Sequence, residues 1–434
     1  MIRANVAEVS ITPPVGTCML EPPGIPTTGI YTDLYCRAIV LDDGHGPVAI
    51  VTLDLLGMDA PLVWRTEHTI RERTGITDVM LTATHNHSAP VTLDCGQDEH
   101  RNRTWEAELV ENIALCVEQA ANDLQPVSLA VGRAPVQIGV NRRVSIMGRT
   151  RMLTNPHGPI IPHVDVLRVD KADHTDSAPL AVLFSHAAHP VTVHTASTLF
   201  NADYPGFAVQ AIRDALGASV MPLFAQGCAA DINVVSLAAG LDEAERLGRQ
   251  LGEGTVQAIE NAQPISVEQI HIANRETLLP FETMNEAVFA ALEARITESA
   301  QALPDHDADP RMQHDQRVLV RWAQRVRNAP PGLRFRAQGI AIGADLLLLG
   351  MTHELFAAYQ IAIVASSPYK HTFAFSYTNG CNGYVPTAAA TYLGGYEVDG
   401  APKLFGLPRL HPDCEQLVYA TVDDLLVELH EVST

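Results

Sequence analysis

The sequence predicts an α/β fold: a twisted mixed sheet with packed helices, in a single large domain spanning residues 1–434, with a helical insertion at 280–332. Three observations carry this. Apolar runs of strand length alternate with amphipathic stretches of helix length. Hydrophobic residues make up 47% of the 434 residues and charged residues 18%, enough apolar material for a large buried core. No short-period repeat or low-complexity linker divides the chain.

Taken in order, Arg37–Leu41 and Val48–Leu53 read as strands joined across Asp42-Asp43-Gly44, which is turn chemistry. Ala60–Thr74 reads as a helix stopped by Gly75, Val79–Thr84 as the returning strand, and Trp105–Leu124 as a long amphipathic helix. The middle repeats the pattern, with strands Val164–Val169, Leu180–Ser185 and Ser219–Ala225 and helices Pro205–Leu216 and Leu241–Asn261. Thr283–Ala302 and Arg311–Asn328 read as a helical pair around the acidic loop Pro304–Pro310. Arg334–Leu349 reads as a strand hairpin turning at Gly343-Ala344-Asp345, and Glu415–Leu429 as a closing helix.

Composition excludes several functions. The formal charge is −21, from 29 basic and 50 acidic residues, and no basic run reverses it, so nucleic acid and anionic membrane surfaces are poor partners. Seven cysteines without CxxC spacing fit neither a disulfide framework nor a Cys-rich structural zinc site. No signal peptide is visible, and the apolar runs fall short of the ~20 residues of a membrane helix, so no transmembrane segment and a cytoplasmic location are expected. Nothing in the pattern fixes the oligomeric state, which leaves a homo-oligomer open.

Four polar clusters stand at the ends of predicted strands, where α/β folds place their sites. They are Thr84–Pro90 with His85 and His87, His186–Pro190 with His189, Thr352-His353-Glu354, and Tyr377–Glu397 with Tyr384, Tyr392 and Tyr396. Alone, the His85/His87 pair reads either as metal ligands or as surface and core histidines. Together the clusters follow the logic of a catalytic zinc. Histidine and carboxylate ligands come from distant segments, a position stays open for water, and the metal lowers that water's pKa toward ~7.

The set resembles the neutral/alkaline ceramidase family, zinc amidases that cleave an N-acyl bond. The resemblance runs through Ala7–Pro13, Gly29–Ala38, Thr84–Pro90 (similar to a THTHSGP motif), Ala188–Thr192 (HP(V/T)S), Thr352–Glu354 (PGE) and Thr378-Asn379, Tyr384, Thr387 and Tyr396-Glu397 (TN…Y..T…YE). It implies Zn2+ held by His85, His189, Glu354 and Tyr384 in a catalytic domain. It also implies that His87 contacts the scissile carbonyl, that Arg142 faces the substrate, and that Tyr396 hydrogen-bonds the amide region.

The sequence departs from the family in places. Ala230-Asp231-Ile232-Asn233 puts Asn233, a substrate-side amide, where the family's GDVSPN serine stands, and His353 replaces a glycine. An amide can hydrogen-bond but cannot act as a hydroxyl nucleophile. The family's immunoglobulin-like C-terminal domain is not expected here. No exposed aromatic or basic strip is visible that would serve an interfacial substrate.

The expected function is therefore hydrolysis of a carbon–nitrogen amide bond in a small N-acylated or cyclic amide by metal-activated hydroxide. A zinc esterase or lactonase, or a non-catalytic metal-binding relative, would use the same residues. Several neighbours keep two readings. Asp54 and Asp231 serve either as groups orienting the ligands or as turn and cap residues. His194 is either an extra ligand or a loop histidine, and His353 either reshapes the pocket or points away. Cys228 lacks a partner base and reads as a buried thiol.

Overall fold

The computed structural model describes residues 1–172, 178–291, 294 and 310–433. Its central element is a nine-stranded sheet ordered Met221–Gln226, Ala181–His186, His163–Lys171, Gln125–Pro135, Arg3–Ser10, Tyr35–Asp42, Val48–Leu53, Asp78–Ala83, with Gln263–Ile265 added beside Gln125–Pro135. A four-stranded sheet runs Ile270–Pro280, Gly332–Ile342, Leu346–Met351, His371–Phe375. Both are mixed, and the α/β expectation holds.

Period-two side-chain alternation builds the layers. In Tyr35–Asp42, Cys36, Ala38 and Val40 pack beneath the helices Ala60–Thr74 and Arg103–Ala121, while Ile39 and Leu41 face the opposite core. In Ala181–His186, Val182 and Phe184 meet the helices Asp203–Leu216 and Leu241–Glu260, while Ala181 and Leu183 turn to the shared core. That shared core is closed by Ile340, Ile342, Leu346, Leu348, Phe373 and Phe375 of the second sheet. The helices Ala357–Ser366 and Cys414–Ser433 cover the outer side of that sheet through Tyr359, Ile363, Val418, Val422 and Leu425. The layers run helix, sheet, sheet, helix.

Three parallel strand pairs, each spanned by one helix, place the site: Val48–Leu53 with Asp78–Ala83, Ala181–His186 with Met221–Gln226, and Leu346–Met351 with His371–Phe375. Parallel strands need such a crossover, and in α/β folds ligands gather where the strands end. The six carboxyl ends converge here. The segment after His371–Phe375 ties two of them together, since Ser376 N donates to Gln226 O (3.0 Å) and Ala83 N to Tyr377 O (3.2 Å).

The predicted elements are present with bounds moved by a few residues. The predicted helix Trp105–Leu124, for example, is Arg103–Ala121, and the predicted strand Val79–Thr84 is Asp78–Ala83. Strands Arg3–Ser10, Gln125–Pro135, Ile270–Pro280 and His371–Phe375 were not anticipated. Residues 280–332 link two strands paired with each other, Pro280 opposite Gly332, and contain the helix Pro310–Val326 and a helical stretch at 286–291. The predicted loop Pro304–Pro310 and much of Thr283–Ala302 lie outside the described residues. All seven cysteines are free thiols. Among the described residues no helix is long and apolar enough to cross a membrane.

The hairpin Gly139–Ile146/Arg149–Asn155 corrects one expectation. It exposes Ile146, Met147, Met152 and Leu153 beside Arg149 and Arg151, so an exposed apolar and basic strip exists. The sequence hid it because alternation on a solvent-facing ribbon looks the same as on a half-buried strand.

Candidate metal centre

His85 follows the strand Asp78–Ala83 in a left-handed conformation (φ 63°) that a non-glycine residue rarely adopts. Its neighbour Asn86 fixes the bend by accepting from Ser88 N (2.9 Å) and donating to Asn201 O (2.7 Å). His189 follows Ala181–His186, and Glu354 follows Leu346–Met351 at the start of a two-residue strand paired in parallel with Tyr384–Val385. Glu354 lies opposite Tyr384 in that pairing. His85, His189 and Glu354 are each almost wholly buried.

Their hydrogen bonds fix the tautomers. His85 Nδ1 lies 2.8 Å from Leu56 O, and His189 Nδ1 lies 2.7 Å from Ala229 O and 3.1 Å from Ile232 O. A carbonyl only accepts, so each Nδ1 carries the proton and each Nε2 presents a lone pair. Both lone pairs converge on one atom: Glu354 Oε2 lies 3.2 Å from His85 Nε2 and 3.4 Å from His189 Nε2. His189 Nε2 and Glu354 Oε2 are buried and accept no hydrogen bond.

Three electron pairs facing one another need a cation between them. Ligands about 2.0–2.1 Å from a tetrahedral zinc are spaced about 3.3–3.4 Å apart, and the observed spacings match. The residues present therefore fit a divalent metal ion. Burial, reinforced by Arg142, pushes His189 down to about 4, which keeps its lone pair free at neutral pH.

His87 Nε2 lies 3.4 Å from His85 Nε2, and the three imidazoles His85, His87 and His189 form a group close enough to share one ion. Spacing alone therefore admits His87 as a ligand. It differs from the other two in support, because its buried Nδ1 has no hydrogen-bond partner and its ring is not fixed by a carbonyl. Burial and then His85, His189, His194 and Arg142 keep it neutral.

Across the cleft, Arg142 stands in the hairpin strand Gly139–Ile146. It donates to Glu397 Oε1 (2.9 Å), Asn233 Oδ1 (3.0 Å) and the Tyr384 hydroxyl (3.3 Å). Its guanidinium sits 5.7 Å from the Tyr384 ring centre and 5.8 Å from that of Tyr396. All eight residues singled out in the sequence thus lie around one centre. Asn233 is held there because Ile232–Val234 pairs with Gly139–Ile146.

The open alternatives resolve individually. Asp54 accepts from Tyr35 N and Arg37 (3.0 Å each), so it closes a strand end and orients no histidine. Asp231 accepts from Asn141 Nδ2 (2.9 Å) and Ala357 N (2.8 Å), while its own carbonyl accepts from Arg142 N; it buttresses the Arg142 strand. His353 points away: it donates to Arg334 O (2.8 Å) and accepts from Asn382 N (3.0 Å). His194 lies beside His87 and Glu21, forming a second group of metal-capable side chains. His186 turns to His163 O (2.8 Å), and burial pushes the Cys228 thiol up.

Two participants were assigned no role from the sequence. The Tyr377 ring stacks on His85 at 4.0 Å and 25°, and the Glu397 carboxylate pairs with both Arg142 and Arg143. Glu397 was visible only as part of the Tyr396-Glu397 motif. Tyr377 (φ 55°), His353 (φ 71°) and Asn379 (φ 54°) share the left-handed conformation of His85, a concentration of backbone strain typical of functional sites.

No protein-family model and no curated protein matches the chain. Among solved structures it is similar to neutral ceramidase from Pseudomonas aeruginosa, with 18% identity and a TM-score of 0.75 over 99% of this chain and 74% of that one. It is also similar to a structure described as ceramidase complexed with C2, with 19% identity and a TM-score of 0.73 over 99% of this chain and 75% of that one. At such identity the likeness establishes a shared fold.

Proposed function

We propose that the chain is a zinc-dependent hydrolase of a carbon–nitrogen amide bond in a small N-acylated or cyclic amide, with Zn2+ held by His85, His189, Glu354 and Tyr384. The observation that carries this is the convergence of His85 Nε2 and His189 Nε2 on the buried Glu354 Oε2, with both Nδ1 atoms committed to backbone carbonyls. The shared fold with ceramidases supports the choice of an amide.

When bound, the ion supplies Lewis-acid polarisation and activation of water at neutral pH. The chain's residues do the rest. Backbone carbonyls lock His85 and His189 in the metal-binding tautomer. His87, neutral and unsupported at Nδ1, is free to hydrogen-bond the scissile carbonyl. Arg142 is cationic at every relevant pH and steadies developing negative charge on oxygen. Tyr384 keeps its proton until a cation offsets burial, and Tyr396 presents its hydroxyl from a partly exposed ring to the amide region. Asn233, committed through Oδ1 to Arg142, has its amide N–H left for substrate.

The test is metal content by elemental analysis of wild type, His189→Ala and Glu354→Ala, followed by turnover of matched amide and ester substrates. About one zinc per chain, lost in both variants, with faster amide cleavage is expected. Zinc retained in both variants would place the ligands elsewhere. Faster ester cleavage would reassign the enzyme to the esterase class, and zinc without turnover would make it a non-catalytic relative.

A further inference from the structure

We infer that the hairpin Gly139–Ile146/Arg149–Asn155 docks the protein on an anionic lipid surface. This goes beyond the hydrolase reading, because docking needs no turnover. The ribbon turns at Met147-Gly148, both with positive φ (50° and 74°), the two-residue turn that matches strand twist. In the antiparallel register Ile146 lies opposite Arg149 and Val144 opposite Arg151. Opposed residues share a face, and so do residues two apart. One face therefore carries Val144, Ile146, Arg149, Arg151 and Leu153.

The other face carries Ser145, Thr150 and Met152 and is anchored to the body, where Thr150 Oγ1 donates to Leu393 O (3.0 Å) and Arg143 to Gly394 O (2.7 Å). Among the described residues the first face has no such anchor. At the tip the Met147 side chain is 99% exposed, and Tyr392, 81% exposed, stands next to the anchoring Leu393.

Charge selects the occupant. Of the hairpin's four arginines Arg149 and Arg151 are exposed, Arg142 and Arg143 being paired with Glu397, and the hairpin has no acidic residue in a chain of net charge −21. A second copy of so acidic a chain is repelled, whereas a negative surface can meet this basic ribbon. Aliphatic side chains interleaved with exposed arginines suit a lipid interface, which accepts both apolar insertion and cationic contact. A phosphate backbone would leave Met147, Ile146 and Leu153 in water.

The hairpin's placement links docking to the centre. The strand that carries the tip also carries Arg142, and a groove of about 450 Å3 lined by Arg149, Thr150, Leu393, Tyr396, Asp399 and Lys403 opens beside the tip.

Vesicle flotation at low salt tests this, using phosphatidylcholine vesicles with and without phosphatidylglycerol, with circular dichroism confirming that each variant is folded. Wild type should float with the anionic vesicles only, and added salt should weaken binding. Arg149→Gln with Arg151→Gln should weaken it about 25-fold, about fivefold per arginine. Met147→Ser should weaken it at least about tenfold. No flotation of wild type overturns the inference, as does flotation undiminished in these variants. Self-association abolished by Met147→Ser would make the face a contact between copies instead. The assay reads none of the metal ligands, so its failure leaves the hydrolase reading untouched.

Discussion

Replacing Glu397 by glutamine perturbs the hinge between the hairpin and the centre. Its carboxylate is 2% exposed and joins Arg142 (5% exposed, Nε to Oε1 2.9 Å) and Arg143 (10% exposed). Glutamine keeps one acceptor but leaves two buried guanidinium groups side by side without a counter-charge. Removing one partner of a buried ion pair costs about 3–5 kcal/mol, because the remaining charge stays desolvated. Unfolding entropy of about 2.1 cal/mol/K per residue gives about 0.9 kcal/mol/K for 434 residues in one cooperative transition. The melting temperature of Glu397→Gln should therefore fall by about 3–5 °C in calorimetry. The exposed pair Arg246–Glu243 on the helix Leu241–Glu260 is the control. With side chains 55% and 24% exposed, Glu243→Gln should cost under about 1 kcal/mol, a shift within about 1 °C. A Glu397→Gln melting temperature as close to wild type as the control's would refute the dependence of Arg142 and Arg143 on that carboxylate.

Other perturbations reach the scaffold. Burial pushes His186 down to about 4 from its ordinary 6.5, so on acidification the unfolded chain takes the proton first. Its contribution is present above about pH 6.5 and is lost as pH falls toward about 4, on the order of 3 kcal/mol. His186→Gln, which still offers a donor to His163 O, should flatten urea midpoints across that window; an unchanged slope would refute the assignment. A β-carbon at Gly132 would sit 2.0 Å from Ala258 O, a backbone atom of the helix Leu241–Glu260. Gly132→Ala should therefore force helix and strand apart and cost at least about 1–3 kcal/mol by urea denaturation, and a neutral result would mean the helix seats loosely.

The parts of the fold legible in the sequence share a local cause. Ala60–Thr74 was read to the residue because Asp59 caps its start, accepting from Leu62 N, and Gly75 (φ 77°) ends it. Val48–Leu53 and Leu346–Met351 were legible because both their faces are buried, leaving unbroken apolar runs. Arg3–Ser10 escaped notice because its burial does not alternate: Ala4 and Ala7, on opposite faces, are buried, most of the strand is half-buried, and its ends Arg3 and Ser10 reach solvent. The strand Ile270–Pro280 has mixed burial and is held by its register with Gly332–Ile342, a pairing of residues far apart in the chain.

The same division runs through the centre. His85, His189, Glu354 and Tyr384 were named as candidates from a motif resemblance, in segments that follow predicted strands. Which nitrogen each histidine presents was decided by Leu56 O and Ala229 O, atoms that no sequence pattern marks. That Asp54 serves Arg37 and Tyr35, that His353 faces Arg334 O, and that Tyr377 stacks on His85 were likewise settled by packing. A side chain's chemical capacity is fixed by its covalent structure. The direction in which it spends that capacity depends on backbone turns, such as the left-handed residues at 85, 353 and 377, that only the assembled sheets hold in place.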